Sequence, residues 1–222
     1  MNVLKAEEIT VRILENNILN KVSFTIREGE QWAITGPSGS GKTTLLKALM
    51  GRQCFSGHLR FNENDPATRK KMVMVEQQHH FRNLSNTSNF YYQQRFNSQD
   101  ADDAITVAED LQQAFQNHVG SDHQVTELTE LFGIKELSRE RLIQLSNGEN
   151  KRLQIVKALL QQPAFLLLDN PFTGLDVKAR QHLEEILHQV GKKGVHVIMV
   201  TSASHLPFFI TNVLSLSADG CR

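Results

Sequence analysis

The residues best equipped for chemistry lie in Gly36-Pro37-Ser38-Gly39-Ser40-Gly41-Lys42-Thr43-Thr44, which satisfies Gly-x-x-x-x-Gly-Lys-[Ser/Thr] from Gly36 to Thr43. Glycines at 36, 39 and 41 let successive backbone N–H groups turn toward phosphate oxygens, and a helix starting at the end of the loop adds partial positive charge. In such a loop Lys42 reaches the outer phosphates and the Thr43 hydroxyl completes a magnesium shell, so an Mg-nucleotide is the expected ligand. A second group belongs with them. Asp169 closes the apolar run Ala164 to Leu168, and a carboxylate at a strand end beside a phosphate loop can orient magnesium through water.

Positioning these groups requires a strand, a loop and a helix in that order. Gln31 to Thr35 reads as a short buried strand, and Thr43 to Met50 as a helix closed by Gly51. Upstream, residues 2 to 27 alternate apolar and polar in short runs and read as an antiparallel sheet with a turn at Glu15-Asn16-Asn17. Ser56-Gly57 reads as a turn before a strand over His58 to Phe61. Met72 to Val75 reads as a buried strand that delivers Glu76-Gln77-Gln78 to its end. From Phe81 to Gln124 the composition turns to Asn, Gln and Ser around Phe90-Tyr91-Tyr92 and Phe96, and the region is expected to be mainly helical. A base-stacking surface competes weakly there, because Arg82 and Arg95 are its only basic residues and Asp100 to Asp103 is acidic.

Further along, Ser146 and Asn147 are candidate caps for a helix from Asn150 to Gln161 that ends at Pro163. After Asp169 come a turn through Asp176, an amphipathic helix to Val190, a core strand over Val195 to Val200 and a last strand over Ile210 to Leu216. Strands alternating with helices predict an α/β fold with a mainly parallel sheet, its ligand at the C-terminal edge of the strands.

At 222 residues the chain fits a single domain with a divided core. Lys plus Arg equals Asp plus Glu at 24 each, so no net field recommends nucleic acid as a partner. Cys54 and Cys221 are far apart and lack metal-ligand spacing, which suits a reducing compartment. The start Met1 to Glu8 lacks the pattern of a signal peptide, and no run reaches the length of a membrane span, so a cytoplasmic location is expected.

The phosphate loop, a strand-end glutamine, Leu145-Ser146-Asn147-Gly148, Leu166-Leu167-Leu168-Asp169 and Gly174-Leu175-Asp176 occur in sequence. As an ordered set they resemble the ATP-binding cassette family over nearly the whole chain. The resemblance implies ATP with Mg2+, and one nucleotide-binding domain over 1–222: a RecA-like core, an antiparallel β lobe and a helical lobe inserted at about 79–146. Gln77, with Gln78 as the register alternative, matches the glutamine that senses magnesium. Ser146 and Gly148 match the signature that caps the ATP of an opposite subunit. Asp169 matches the magnesium-orienting aspartate, and Asp176 that of the loop crossing the dimer interface. Implied partners are a second cassette, in a homodimer or heterodimer closing head-to-tail, and membrane permease subunits that would hold the chain at the inner face of the membrane. No nucleic-acid partner is implied.

Three positions depart from the family pattern. Asn170 stands where a glutamate activates water, Ser202 stands where a histidine meets the γ-phosphate, and no aromatic ring lies near Ile13 to stack on adenine. His205 reads as a surface histidine and Trp32 as a core residue. An amide orients water but takes no proton at neutral pH, so an ABC-type ATPase with weak intrinsic hydrolysis is expected, one that energises or regulates a transporter. The run Glu30-Gln31-Trp32-Ala33-Ile34-Thr35-Gly36 and the signature Leu145-Ser146-Asn147-Gly148-Glu149 also resemble double-cassette proteins of the molybdate-transport-like or photorepair-like type, which implies the alternative of a soluble regulatory ATPase. A P-loop kinase accounts for the loop and Asp169 but leaves Leu145 to Glu149 and Gly174 to Asp176 without a role.

Overall fold

The computed structural model describes residues 2–61, 71–77, 80–82, 89–91, 105–116, 122–217 and 220–221. They divide into two compact units: Met1–Val75, Pro163–Pro171 and Leu187–Arg222 form the first, and Glu76–Gln162 with Phe172–Ile186 the second.

The first unit is built on two sheets. Strands β1 (Asn2–Ile13), β2 (Asn16–Arg27) and β4 (Ser56–Phe61) pair antiparallel in the order β2-β1-β4. The second sheet has the order β11-β10-β3-β9-β8-β5, from β3 (Trp32–Thr35), β5 (Met72–Val75), β8 (Phe165–Asp169), β9 (His196–Val200), β10 (Asn212–Ser217) and β11 (Gly220–Cys221). All its pairings are parallel except β10 with β11. Strands β3, β8 and β9 are buried at every residue, as parallel strands covered on both faces must be. Helix α1 (Lys42–Leu49) lays Leu45, Leu46, Ala48 and Leu49 into the same core as Ile34, Leu167 and Val200.

The Ser56-Gly57 pair is not a turn but the start of β4. Gly57, at φ +107°, would bring a Cβ within 2.5 Å of the Glu8 carbonyl, so glycine is required where β4 crosses the irregular stretch of β1. The expected core role of Trp32 is seen: its ring is buried against Phe24 at 5.6 Å, and its Nε1 donates to Glu30 at 3.0 Å.

In the second unit, α2 (Val107–Gln116), α3 (Asp122–Leu131) and α4 (Asn147–Leu159) enclose Phe132, Ile134, Leu145 and Leu153. Lys157 of α4 reaches Asp110 of α2 at 2.6 Å. The mainly helical reading of Phe81 to Gln124 is corrected at its start, where β6 (His80–Arg82) and β7 (Asn89–Tyr91) pair antiparallel. Tyr92 and Phe96 lie outside the described residues. Helix α4 also begins three residues earlier than expected, because the polar residues 147 to 149 are its first turn. Helix α5 (Val177–Lys192) lies between β8 and β9 in the chain; its residues up to Ile186 belong to the second unit and the rest to the first. Among the described residues no helix is long and apolar enough to cross a membrane.

Candidate nucleotide site

The loop from Gly36 to Gly41 joins the end of β3 to the start of α1, which is the arrangement the spacing demands. Two of its glycines are enforced sterically. A Cβ on Gly36 would lie 2.2 Å from the Leu216 carbonyl oxygen, and one on Gly41 (φ +86°) 2.7 Å from Leu19 Cδ2. Pro37, Ser38 and Gly39 form the exposed tip, Ser40 is buried, and Lys42, Thr43 and Thr44 are half-buried. Gly41 gives α1 no side-chain cap, and no acidic residue occupies its first turn. A helix start with no side-chain cap, at the positive end of the dipole, fits an anionic ligand.

Lys42 is curled over its own loop, donating to the carbonyls of Gly36 at 2.8 Å and Pro37 at 2.6 Å. Burial pushes its ammonium below the ordinary lysine range, and the charge of Asp169 opposes that shift. Asp169, at the end of β8, is 4% exposed. Its Oδ2 accepts from the Thr43 hydroxyl at 2.8 Å, and its Oδ1 accepts from the Asn170 side-chain amide at 3.0 Å. A hydroxyl and a carboxylate are hard oxygen donors, and they meet beside the uncapped helix start, so the set fits magnesium carried on a phosphate ligand. Parallel pairing sets this geometry, because β3 and β8 each border β9 and release the loop and Asp169 at the same edge.

Asn170 has a left-handed backbone, φ +47°, and its N–H donates to the Val200 carbonyl at 3.2 Å. Thr201 donates its N–H to Ile34 at 3.1 Å, which carries the chain after β9 to the same edge. Beyond it Ser202 is exposed and shares a 2.8 Å hydrogen bond with the Ser204 hydroxyl. The backbone N–H of His205 closes this turn on the Ser202 carbonyl at 3.0 Å, and the residue is exposed. Ile13 and Leu14 stand at the exposed end of the β1–β2 hairpin.

The remaining candidates lie in the second unit. Ser146 caps α4: its hydroxyl accepts from the Glu149 N–H at 3.3 Å, and the Glu149 carboxylate accepts from the Ser146 N–H at 2.7 Å. The hydrogen bond from Ser146 holds the Glu149 carboxyl below the ordinary glutamate range, against the opposing effect of burial. A Cβ on Gly148 would sit 3.2 Å from Leu175 Cδ2, so the signature turn and the Gly174–Asp176 loop pack closely within this unit. Asp176 caps the start of α5 by accepting from the Ala179 N–H at 2.8 Å. Gln77 follows β5 with an exposed side chain, and Gln78 lies outside the described residues.

Lys151 was missed by the sequence reading. It is 6% exposed, and its ammonium donates to the carbonyls of Glu76 at 2.8 Å and Gln77 at 3.2 Å. Its register on α4 with Ile155 and Ala158 was the available signal, since that face is buried.

A family model described as ABC transporter matches residues 19–173. The sulfate/thiosulfate import ATP-binding protein CysA of Nitrosomonas europaea is 34% identical over 178 residues, covering 78% of this chain and 46% of that protein. The ABC transporter ATP-binding protein ModF of Escherichia coli is 29% identical over 217 residues, covering 95% of this chain and 41% of ModF. The chain thus spans less than half the length of these curated relatives. Among solved structures, cbiO1 of Clostridium perfringens, part of the ABC transporter complex cbiONQ, shares the fold with a TM-score of 0.78. Identity there is 24%, with 100% of this chain and 87% of that chain covered.

Proposed function

The chain belongs to the ABC transporter family of ATP-binding proteins, and from that premise we propose that it binds Mg-ATP, closes head-to-tail on a second cassette and hydrolyses ATP slowly. The observation that supports this reading is the Thr43–Asp169 contact at 2.8 Å beside an uncapped helix start, followed by an amide at position 170. Gly36 to Thr44 would hold the phosphates, with Lys42 leaving its loop carbonyls for the outer ones. Thr43 and Asp169 would hold the magnesium, which when bound neutralises charge developing on the phosphates. Gln77 would sense that ion, and Ser146 with Gly148 would cap the nucleotide of the neighbouring cassette.

Hydrolysis needs a group that takes a proton from the attacking water. The Asn170 amide takes none, and loss of a positioned base costs on the order of 100 to 10,000-fold in rate. Ser202, in place of an imidazole, would contribute a neutral hydroxyl to the γ-phosphate. We therefore assign the chain a role in which capture of ATP, more than its turnover, drives closure. CysA and ModF are named as ATP-binding proteins of transport, so membrane permease subunits are the proposed partners, at the cytoplasmic face.

A second reading is favoured by one observation. The ModF match covers 95% of this chain against 78% for CysA, while spanning only 41% of ModF, whose remaining length suffices for another cassette. On that reading the chain works as a soluble tandem or paired cassette without a permease. Co-purification with a membrane permease supports the first reading, and isolation as a soluble complex with another cassette supports the second.

The test of slow hydrolysis is ATP turnover of the purified chain at saturating magnesium, beside the Asn170→Glu variant. Slow wild-type turnover that rises with the glutamate is expected. Vigorous wild-type turnover, unimproved by the substitution, defeats the proposal.

A further inference from the structure

We infer that Asn170 is a positioning residue that clamps the Asp169 carboxylate for magnesium, an inference resting on the Mg-ATP reading above. Among the described residues two side chains donate to that carboxylate, one to each oxygen. Thr43 of α1 holds Oδ2 at 2.8 Å, and Asn170 holds Oδ1 at 3.0 Å. A carboxylate torsion is broad and roughly two-fold, so one hydrogen bond leaves the plane free to turn. Two bonds to different oxygens, from residues 126 and 1 positions away, fix it.

The backbone supports the same assignment. Asn170 sits at φ +47°, and its N–H is pinned to Val200 across the sheet at 3.2 Å. Asparagine is among the non-glycine residues that enter this left-handed region at least cost. Its amide meets a carboxylate oxygen favourably through the NH2 group, because the amide oxygen would be repelled. A glutamate at 170 would occupy the same strained conformation and, ionised, has no donor to offer Asp169. Position 170 is thus built for an amide. The residue that replaces the general base has a task of its own, holding the ligand that orients the metal.

The test titrates Mg2+ against the full chain with a fluorescent, non-hydrolysable ATP analogue, for wild type, Asn170→Ala and Asn170→Gly. Both substitutions remove the donor, and glycine also relieves the backbone. Loss of such an outer partner of a metal ligand typically costs 10 to 100-fold in metal affinity, so half-saturating Mg2+ should rise about 10-fold in both variants. Affinity for the analogue without magnesium should not change. Wild-type half-saturation in Asn170→Gly overturns the clamp, including the case in which only the alanine variant shifts. Wild-type binding that is independent of Mg2+ overturns the Mg-ATP reading and the clamp with it.

Discussion

Thr43 has two tasks on one oxygen in the proposed Mg-ATP site: it donates to Asp169 at 2.8 Å, and its lone pairs would serve the cation. Thr43→Val keeps the shape and removes both tasks. The lost hydrogen bond to a buried carboxylate should cost about 1.5–3 kcal/mol of stability, measurable by denaturant titration. Nucleotide binding should also lose its response to Mg2+ in calorimetry with and without the ion. A valine variant that still binds ATP more tightly with magnesium would remove Thr43 from the metal site. At this scale the sequence showed which groups were present but not what they touch. The phosphate loop is a local motif, so Gly36 to Thr44 and Asp169 were legible as chemistry. The partner of Asn170 was not, because its backbone is fixed by Val200, thirty positions later, through sheet pairing that no local pattern encodes.

The elements were legible where a short segment decides its own structure. Helix α1 was expected at Thr43 to Met50 and found at Lys42–Leu49, and β8 delivers Asp169 as the apolar run predicted. The reading failed where neighbours decide. Gly57 looks like a turn residue but is the one residue that fits against Glu7 and Glu8. Phe90 and Tyr91 extend as a strand because they find β6, and short aromatic runs do not distinguish strand from helix by period. The first turn of α4 looked like loop because its polar residues bond one another: Ser146 and Glu149 form a reciprocal cap. That cap makes a pH prediction. The Glu149 carboxyl is held below the ordinary range, so its stabilisation is full above the unfolded glutamate value near 4.3 and is lost as pH falls through the lower folded value. Glu149→Gln should cost about 0.5–1 kcal/mol at pH 7 and flatten the wild-type loss of stability below about pH 4.3. Unfolding curves at pH 7 and through the acid range check both, and an unchanged acid slope would remove Glu149 from the cap.

For the molecule as a whole, the residues proposed to hold the nucleotide and those proposed as the signature fall in different compact units, each with buried apolar residues of its own. On the proposed reading, a chain that binds ATP with one surface and offers Ser146 and Gly148 with another would serve a neighbour even when its own site turns over slowly. That consequence can be measured with copies of this chain alone. In a head-to-tail pair, an Asn170→Glu copy supplies the base and takes its signature from the other copy. Adding excess wild type should therefore leave the turnover of the glutamate copy intact, since wild type lends an unaltered Ser146. Adding excess Ser146→Ala chain should suppress it by at least about 10-fold, because a hydrogen-bonding group aimed at transition-state charge is typically worth 100 to 1,000-fold. The alanine variant loses only its helix cap, about 1 kcal/mol, so it should remain folded and bind Mg-ATP like wild type. Turnover insensitive to both additions would mean that the signature serves the chain that carries it, or no site formed between copies, and the head-to-tail arrangement of this chain with itself would fall.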